Sequence, residues 1–384
     1  MIIKKHSLPI IGAILGDIVG APYELAGTRI KSTDFPLFKD DSTFTDDTVL
    51  TLAIAKWILN PKSDPKDIVH ELGRTYIDVG FGHSFKKWLR DPNPQPYGSM
   101  GNGSAMRVSA IGVTACSLCD TLRLAKESAI ITHNHPEGIK GAQAVATAVF
   151  FAYQGFHKEC IKEYIENEFG YDLSRTVNSI RKDYVFDATC NGSVPEAIIA
   201  FLESNSVEDA IRLAVSLGGD ADTQASISGA IAAAYYKDIP MVYIDEVLSR
   251  LSPDLLEIFK LFNSYTPQNT SSNYKLTAKH DLELDGYIQY TFALAITDKT
   301  RIFIPKGTAL LINWNGKECL ECNIISNKTR IFNIVEKKLS SMCVDKYGET
   351  EEPLCRTIKL SLCKDDLKNF AVREAVIDDV LCLL

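Results

Sequence analysis

Two short segments concentrate oxygen chemistry. The first is Thr43-Phe44-Thr45-Asp46-Asp47-Thr48, followed by apolar residues at helical spacing over 49–58. The second is Gly218-Gly219-Asp220-Ala221-Asp222-Thr223, followed by a helical pattern over 225–235. Each sets two carboxylates and a threonine hydroxyl at the start of a helix. Taken singly, either reads as an ordinary cap, because Asp and Thr satisfy the free N–H groups of a first turn and suit the helix dipole. Taken together they read differently. Adjacent carboxylates repel unless something neutralises them. Asp46, Asp47, Asp220 and Asp222, with the hydroxyls of Thr45 and Thr223, form an oxygen-only set suited to a hard cation such as Mg²⁺. Gly218 and Gly219 would let the backbone approach a ligand closely.

Three further segments carry weaker signals. Gly16-Asp17-Ile18-Val19-Gly20-Ala21-Pro22-Tyr23-Glu24 ends a helix at a Gly-Ala-Pro break and presents Glu24 just beyond it; a solvated surface carboxylate is the plain alternative. Tyr97-Gly98-Ser99-Met100-Gly101-Asn102-Gly103-Ser104 precedes a helical run over 105–113. A glycine-rich turn that feeds a helix N-terminus suits a diphosphate, with Gly101 free to take a positive φ; otherwise it is a plain turn. Thr132-His133-Asn134-His135 closes one helix and opens the next, which places His133 near a ligand or makes it a cap. Cys116 and Cys119 precede it, but the single residue between His133 and His135 is too short a gap for a zinc finger.

Such residues need a rigid frame. Up to residue 262, apolar residues recur at helical spacing over 49–58, 68–77, 142–153, 197–202, 210–215 and 227–235, with Ala and Gly on the buried faces. The expectation is an all-α domain over 1–262. A polar, uncharged stretch with a proline, 263–274, reads as a linker. Over 275–384, strand-like segments at 287–296, 301–304, 309–314, 322–325, 329–335 and 357–363 predict a smaller, mostly β domain. A helix from Asp365 would make it α+β. The composition, 46% hydrophobic and 23% charged, is that of a folded soluble protein. A net charge of −8 with scattered Lys and Arg leaves no footprint for nucleic acid or an anionic membrane. The apolar run 8–15 after Lys4 and Lys5 mimics a signal peptide, but Asp17 follows and no cleavage site does, so it reads as a core helix. No apolar segment approaches the ~20 residues of a membrane span. Ten cysteines without an export signal read as free thiols, and the compartment as cytoplasmic.

In order along the chain, Gly16-Asp17 to Glu24, Thr45-Asp46-Asp47, Gly101-Asn102-Gly103 to Arg107, Thr132-His133, Cys190-Asn191-Gly192-Ser193-Val194-Pro195-Glu196-Ala197 and Gly218 to Thr223 together resemble the ADP-ribosylglycohydrolase family over residues 10–262. The resemblance implies an all-α fold around two Mg²⁺ ions, for which Mn²⁺ can substitute, with Thr45, Asp46, Asp47, Asp220, Asp222 and Thr223 as ligands. It implies Glu24 as a catalytic or metal-bridging carboxylate, ahead of Asp46 and Asp47. Gly98, Ser99, Met100, Gly101, Asn102, Gly103 and Gly219 would line the ADP-ribose site together with His133; Met100 stands where some relatives carry an aromatic residue. The implied reaction cleaves the glycosidic bond between ADP-ribose and a modified protein or other conjugate, with ADP-ribose as product. Two other readings use the same residues. One is a Mg²⁺-dependent diphosphate hydrolase. The other is an immunity or regulatory protein that binds an ADP-ribosylated target or blocks a transferase toxin, with 275–384 as its surface for a protein partner.

Overall fold

The computed structural model describes residues 2–115 and 118–265 with their side chains, apart from that of residue 119, and beyond residue 273 the backbone of eight strands. The chain divides into two units. In the first, every described element is helical. Among the described residues no helix is long and apolar enough to cross a membrane.

Two helices form the centre of this unit. Leu8–Gly20 is buried at every position, and Ala221–Tyr236 is buried from Ala221 to Ala234. Their partnership follows from side-chain size. Gly12, Gly16 and Gly20 recur every four residues and so share one helix face. They meet Gly229, Ala225 and Ala221, which recur at the same spacing on the other helix in the opposite direction. The approach is backbone on backbone: a Cβ on Gly16 would stand 2.1 Å from the Ala225 carbonyl oxygen. Around this pair pack Asp46–Leu59, Pro136–Gln154, Cys190–Glu203 and Val207–Val215.

The helices begin earlier than the apolar periodicity predicts. Asp46–Leu59 takes Asp46 and Asp47 into its first turn, with Thr45 as N-cap. Ala221–Tyr236 takes Asp222 and Thr223 into its first turn, with Asp220 as N-cap. One expectation is corrected: no helix spans 105–113. A 3-10 turn, Asn102–Ser104, precedes a short helix, Ser109–Thr114. The cause is tertiary. The Asn102 N–H donates to the Ala188 carbonyl and its side chain to Ser193 and Asp220, which holds the chain in a turn.

Of the expected linker, 263–264 belong to the helix Pro253–Ser264, where the buried Asn263 side chain accepts from the Lys4 N–H and donates to the Ile2 carbonyl. Residues 266–273 lie outside the described residues. In the second unit, six antiparallel strands lie in the order Leu354–Cys363, Tyr287–Ile296, Tyr274–Leu284, Cys319–Ile325, Ala309–Trp314 and Val372–Val376. Ile302–Ile304 pairs with Leu381–Leu383. The strand expected over 329–335 lies outside the described residues, as do 364–371 of the closing helix, and Val372–Val376 is a strand.

Candidate active site

The central helix pair and Asp46–Leu59 bring three carboxylate-bearing segments to one place. Asp17, in the middle of Leu8–Gly20, is fully buried and reaches the N-terminus of Asp46–Leu59. One of its oxygens accepts from the Thr45 hydroxyl at 2.7 Å. The other accepts from the N–H groups of Thr45 and Thr48 at 2.9 and 3.0 Å and from the Thr48 hydroxyl at 2.5 Å. Asp17 thus caps a helix to which it does not belong, and it fixes where Asp47 lies.

Two carboxylate groupings result, each with ligand atoms within 4.8 Å of one another: Asp17, Asp47 and Asp222, and Glu24, Asp220 and Asp222. Asp222 is common to both. Thr223 donates its hydroxyl to Asp47 Oδ2 at 3.1 Å, and Asn102 donates its amide to Asp220 Oδ2 at 2.7 Å. Asp47 Oδ1 is buried with no hydrogen-bond partner. A buried acceptor without a donor is costly, and a cation would satisfy it. The oxygen-only donor set fits a hard divalent ion. Asp46 falls in neither grouping; its Oδ1 lies by Gly80, where an added Cβ would stand 3.0 Å away. The Thr45 hydroxyl is engaged by Asp17 and also caps the Asp47 N–H at 3.3 Å.

Among the described residues no basic side chain forms a salt bridge with these groups, and their electrostatics show it. Burial, then the charges of Asp220 and Asp17, push Glu24 up to about 7, with Arg29 opposing. Burial, then Asp17 and Asp220, push Asp46 up to about 8. Asp47 and Asp222 are raised well above the usual carboxylate range, first by burial and then by their acidic neighbours. Carboxyls with raised folded pKa bind more protons folded than unfolded. Their contribution is therefore present below the ordinary carboxylate pKa of about 4 and lost as pH rises through the raised values. In EDTA the melting temperature should fall between about pH 5 and about pH 8, and Mg²⁺ should restore more of it at the upper end. A metal-free melting temperature that rises across that window would contradict a mutually buried acidic cluster.

Beside the cluster lies the glycine turn. Gly98 has φ +67 and donates its N–H to Asn134 Oδ1 at 2.7 Å. The left-handed residue is therefore Gly98; Gly101, at φ −64, has no such need. Ser99 Oγ accepts from the Gly101 N–H at 3.1 Å. The turn is stitched to 188–190, with Cys190 donating from its N–H to the Met100 carbonyl and from Sγ to the Gly101 carbonyl. Met100 is exposed. His133 Nε2 faces the turn: a Cβ on Gly103 or Gly101 would lie 3.4 or 3.5 Å from it. At Gly219 the missing side chain makes room for the Tyr184 ring, whose Cε1 a Cβ would approach to 2.3 Å. The reading of sequence missed Asp17 as a site residue. Its signal was a lone carboxylate inside an otherwise uncharged apolar helix.

The family described as ADP-ribosylglycohydrolase matches residues 9–269. The chain is 30% identical to ADP-ribosylhydrolase ARH3 of Mus musculus, over 59% of this chain and 82% of that protein. It is 29% identical to ADP-ribosylhydrolase ARH3 of Homo sapiens, over 59% and 83%. A solved structure described as an ADP-ribosylglycohydrolase-related protein complex aligns with a TM-score of 0.52 at 26% identity, covering 67% of this chain and 97% of that one. The matched residues contain both carboxylate groupings and the glycine turn, and the chain belongs to the ADP-ribosylglycohydrolase family.

Proposed function

We propose that this chain is a Mg²⁺-dependent hydrolase that cleaves the glycosidic bond joining C1″ of ADP-ribose to a modified protein side chain or related conjugate. The observation that carries the reading is the pair of carboxylate groupings sharing Asp222, with a buried, unpartnered Asp47 oxygen, next to the glycine turn. When bound, Mg²⁺ would hold ribose hydroxyls and lower the pKa of a water. Thr45, Asp46, Asp47, Asp220, Asp222 and Thr223 are the residues proposed to hold it; the Thr45 and Thr223 hydroxyls lie 3.4 and 3.1 Å from carboxylate oxygens of Asp222 and Asp47. Asp17 and Asn102 orient them. Glu24 is half-buried at the edge of the cluster and carries a raised pKa of about 7, so its carboxyl is suited to moving a proton near neutral pH. Cleavage breaks the bond from C1″ to the acceptor and forms one from C1″ to the oxygen of water. Glu24 takes the water's proton, and the departing acceptor gains one. The clustered carboxylates favour the positive charge that develops on the ribose. The Gly98–Gly103 turn and His133 are proposed to hold the rest of ADP-ribose.

The test is incubation with arginine-, serine- and nucleic-acid-linked ADP-ribose, in Mg²⁺, Mn²⁺ and EDTA, with products separated by chromatography. Free ADP-ribose that appears only with metal is the expected result. AMP would show diphosphate hydrolysis, and tight binding of every substrate without turnover would show a binding protein.

A further inference from the structure

Arg107 is fully buried, and a guanidinium does not give up its proton in a protein interior even where, as here, burial pulls its pKa down to about 10. Among the described residues no carboxylate pairs with it. Its Nη2 donates to the Ser128 carbonyl at 2.5 Å and to Thr132 Oγ1 at 3.3 Å, while Nε and Nη1 have no partner. An unpaired cation is expensive to bury. Part of its role is ordinary: Ser128 lies in the last turn of Leu118–Ile130, where a cation satisfies a free carbonyl. The bond to Thr132 does something else.

Thr132 is fully buried, and its Oγ1 lies 2.7 Å from His133 Nδ1. Arginine can only donate, so Oγ1 is the acceptor toward Arg107. If Nδ1 carried the ring proton it too would donate to Oγ1, and the hydroxyl proton of Thr132 would have no acceptor among the described residues. If Nδ1 is bare, the hydroxyl donates to it and both atoms are satisfied, which is what burial favours. The ring proton then sits on Nε2. A second proton is opposed by burial and by the Arg107 charge, which hold His133 well below its ordinary value. Nε2 makes no hydrogen bond to the described residues and faces Gly101 and Gly103. We propose that Arg107, acting through the Thr132 hydroxyl, fixes His133 as the neutral imidazole with its proton on Nε2, a donor aimed at an acceptor oxygen of the ligand held over Gly101–Gly103. Arg107 and Thr132 are positioning residues. The inference rests on the reading of that turn as part of the ADP-ribose site.

The experiment uses the full chain. Long-range proton–nitrogen NMR, assigned with His133→Gln, identifies the tautomer without ligand, and calorimetry measures ADP-ribose affinity. Wild type should show the Nε2–H form alone. Thr132→Val keeps the shape but loses the hydroxyl; it should give mixed tautomers and bind ADP-ribose about tenfold more weakly, the cost of one buried hydrogen bond. Thr132→Ser should restore both. Arg107→Met should shift the ring in the same direction as Thr132→Val. The double variant should bind no more weakly than Arg107→Met alone, because the two act in series. A wild-type proton on Nδ1, a Thr132→Val protein with unchanged tautomer and affinity, or additive losses would each overturn the proposal. The wild-type spectrum and Thr132→Val decide even where Arg107→Met does not fold. If wild type binds no ADP-ribose at all, the reading of the turn fails, while the spectra still judge the link from Arg107 to His133.

Discussion

Asp222→Asn should abolish metal-dependent release of ADP-ribose, and Asp47→Asn should do the same, while neither lowers the stability of the metal-free protein at neutral pH. The two halves of this result have one cause. Asp222 belongs to both carboxylate groupings and Asp47 to one, and both are buried among other acids. With a divalent ion present, each carboxylate offsets part of its charge. An amide of nearly the same shape leaves that charge uncompensated. Without the ion, burial and like charges already drive Asp47 and Asp222 toward the protonated form. An amide resembles a neutral carboxyl, so the apo protein loses little and is relieved of repulsion. Mg²⁺ at about a hundred times its dissociation constant should stabilise wild type by about 2.7 kcal/mol, and either variant far less. If these residues were only helix caps, each change would cost up to about 1 kcal/mol with or without Mg²⁺, and activity would survive. Thermal melts of the three proteins in Mg²⁺ and in EDTA, beside a release assay, separate the two cases. Equal Mg²⁺ shifts in all three, with activity retained, would remove the metal site and the functional reading with it.

The parts of this site that were legible in the sequence are those written locally. Paired carboxylates ahead of an apolar helical pattern announce a helix N-terminus, and the structure brings Asp47, Asp220 and Asp222 together, as Asp-rich N-termini at the centre of an α unit can be. What could not be read depends on neighbours far along the chain. Asp17 looked like an interruption in an apolar helix. Its meaning comes from the N-terminus of Asp46–Leu59, which packs against it. The spacing over 105–113 suggests a helix that follows directly on the glycine turn, but bonds from Asn102 to Ala188, Ser193 and Asp220 hold a 3-10 turn there and the helix begins only at Ser109. Gly219 reads locally as backbone that a ligand can approach closely, and nothing in its own segment says what stands where its side chain would be. That Tyr184 takes the space is a fact of tertiary packing. Asp46 shares its neighbour's chemistry in sequence; one residue along a helix turns the side chain by about a hundred degrees and sets its Oδ1 by Gly80, yet the charges of Asp17, Asp220 and Glu24 still reach it.

Gly16→Val should be among the most damaging single changes in the helical unit, although Gly16 makes no side-chain contact and lies in the interior of a helix where other residues are better formers. On propensity alone, replacing a mid-helix glycine gains up to about 1 kcal/mol. Packing reverses the sign. The first added carbon would stand 2.1 Å from the Ala225 carbonyl oxygen and 2.3 Å from its carbon, both backbone atoms that cannot rotate away. The two central helices must separate, and the neighbours packed against them must follow. Overpacking a tight core costs about 1–3 kcal/mol where side chains can yield, and here they cannot, so about 3 kcal/mol or more is expected. In a unit of this size that is a fall of roughly 6–12 °C in melting temperature. Activity should fall further than stability explains, because the same interface sets Asp17, carried on one helix, against Asp222, carried on the other. Gly82→Ala is the control: its added carbon meets open space, and losing that N-cap glycine costs under about 1 kcal/mol. The two variants should be compared by calorimetry and by release of ADP-ribose at a temperature where both remain folded. A Gly16→Val protein as stable and as active as Gly82→Ala would mean that the helix pair does not set the geometry of the cluster.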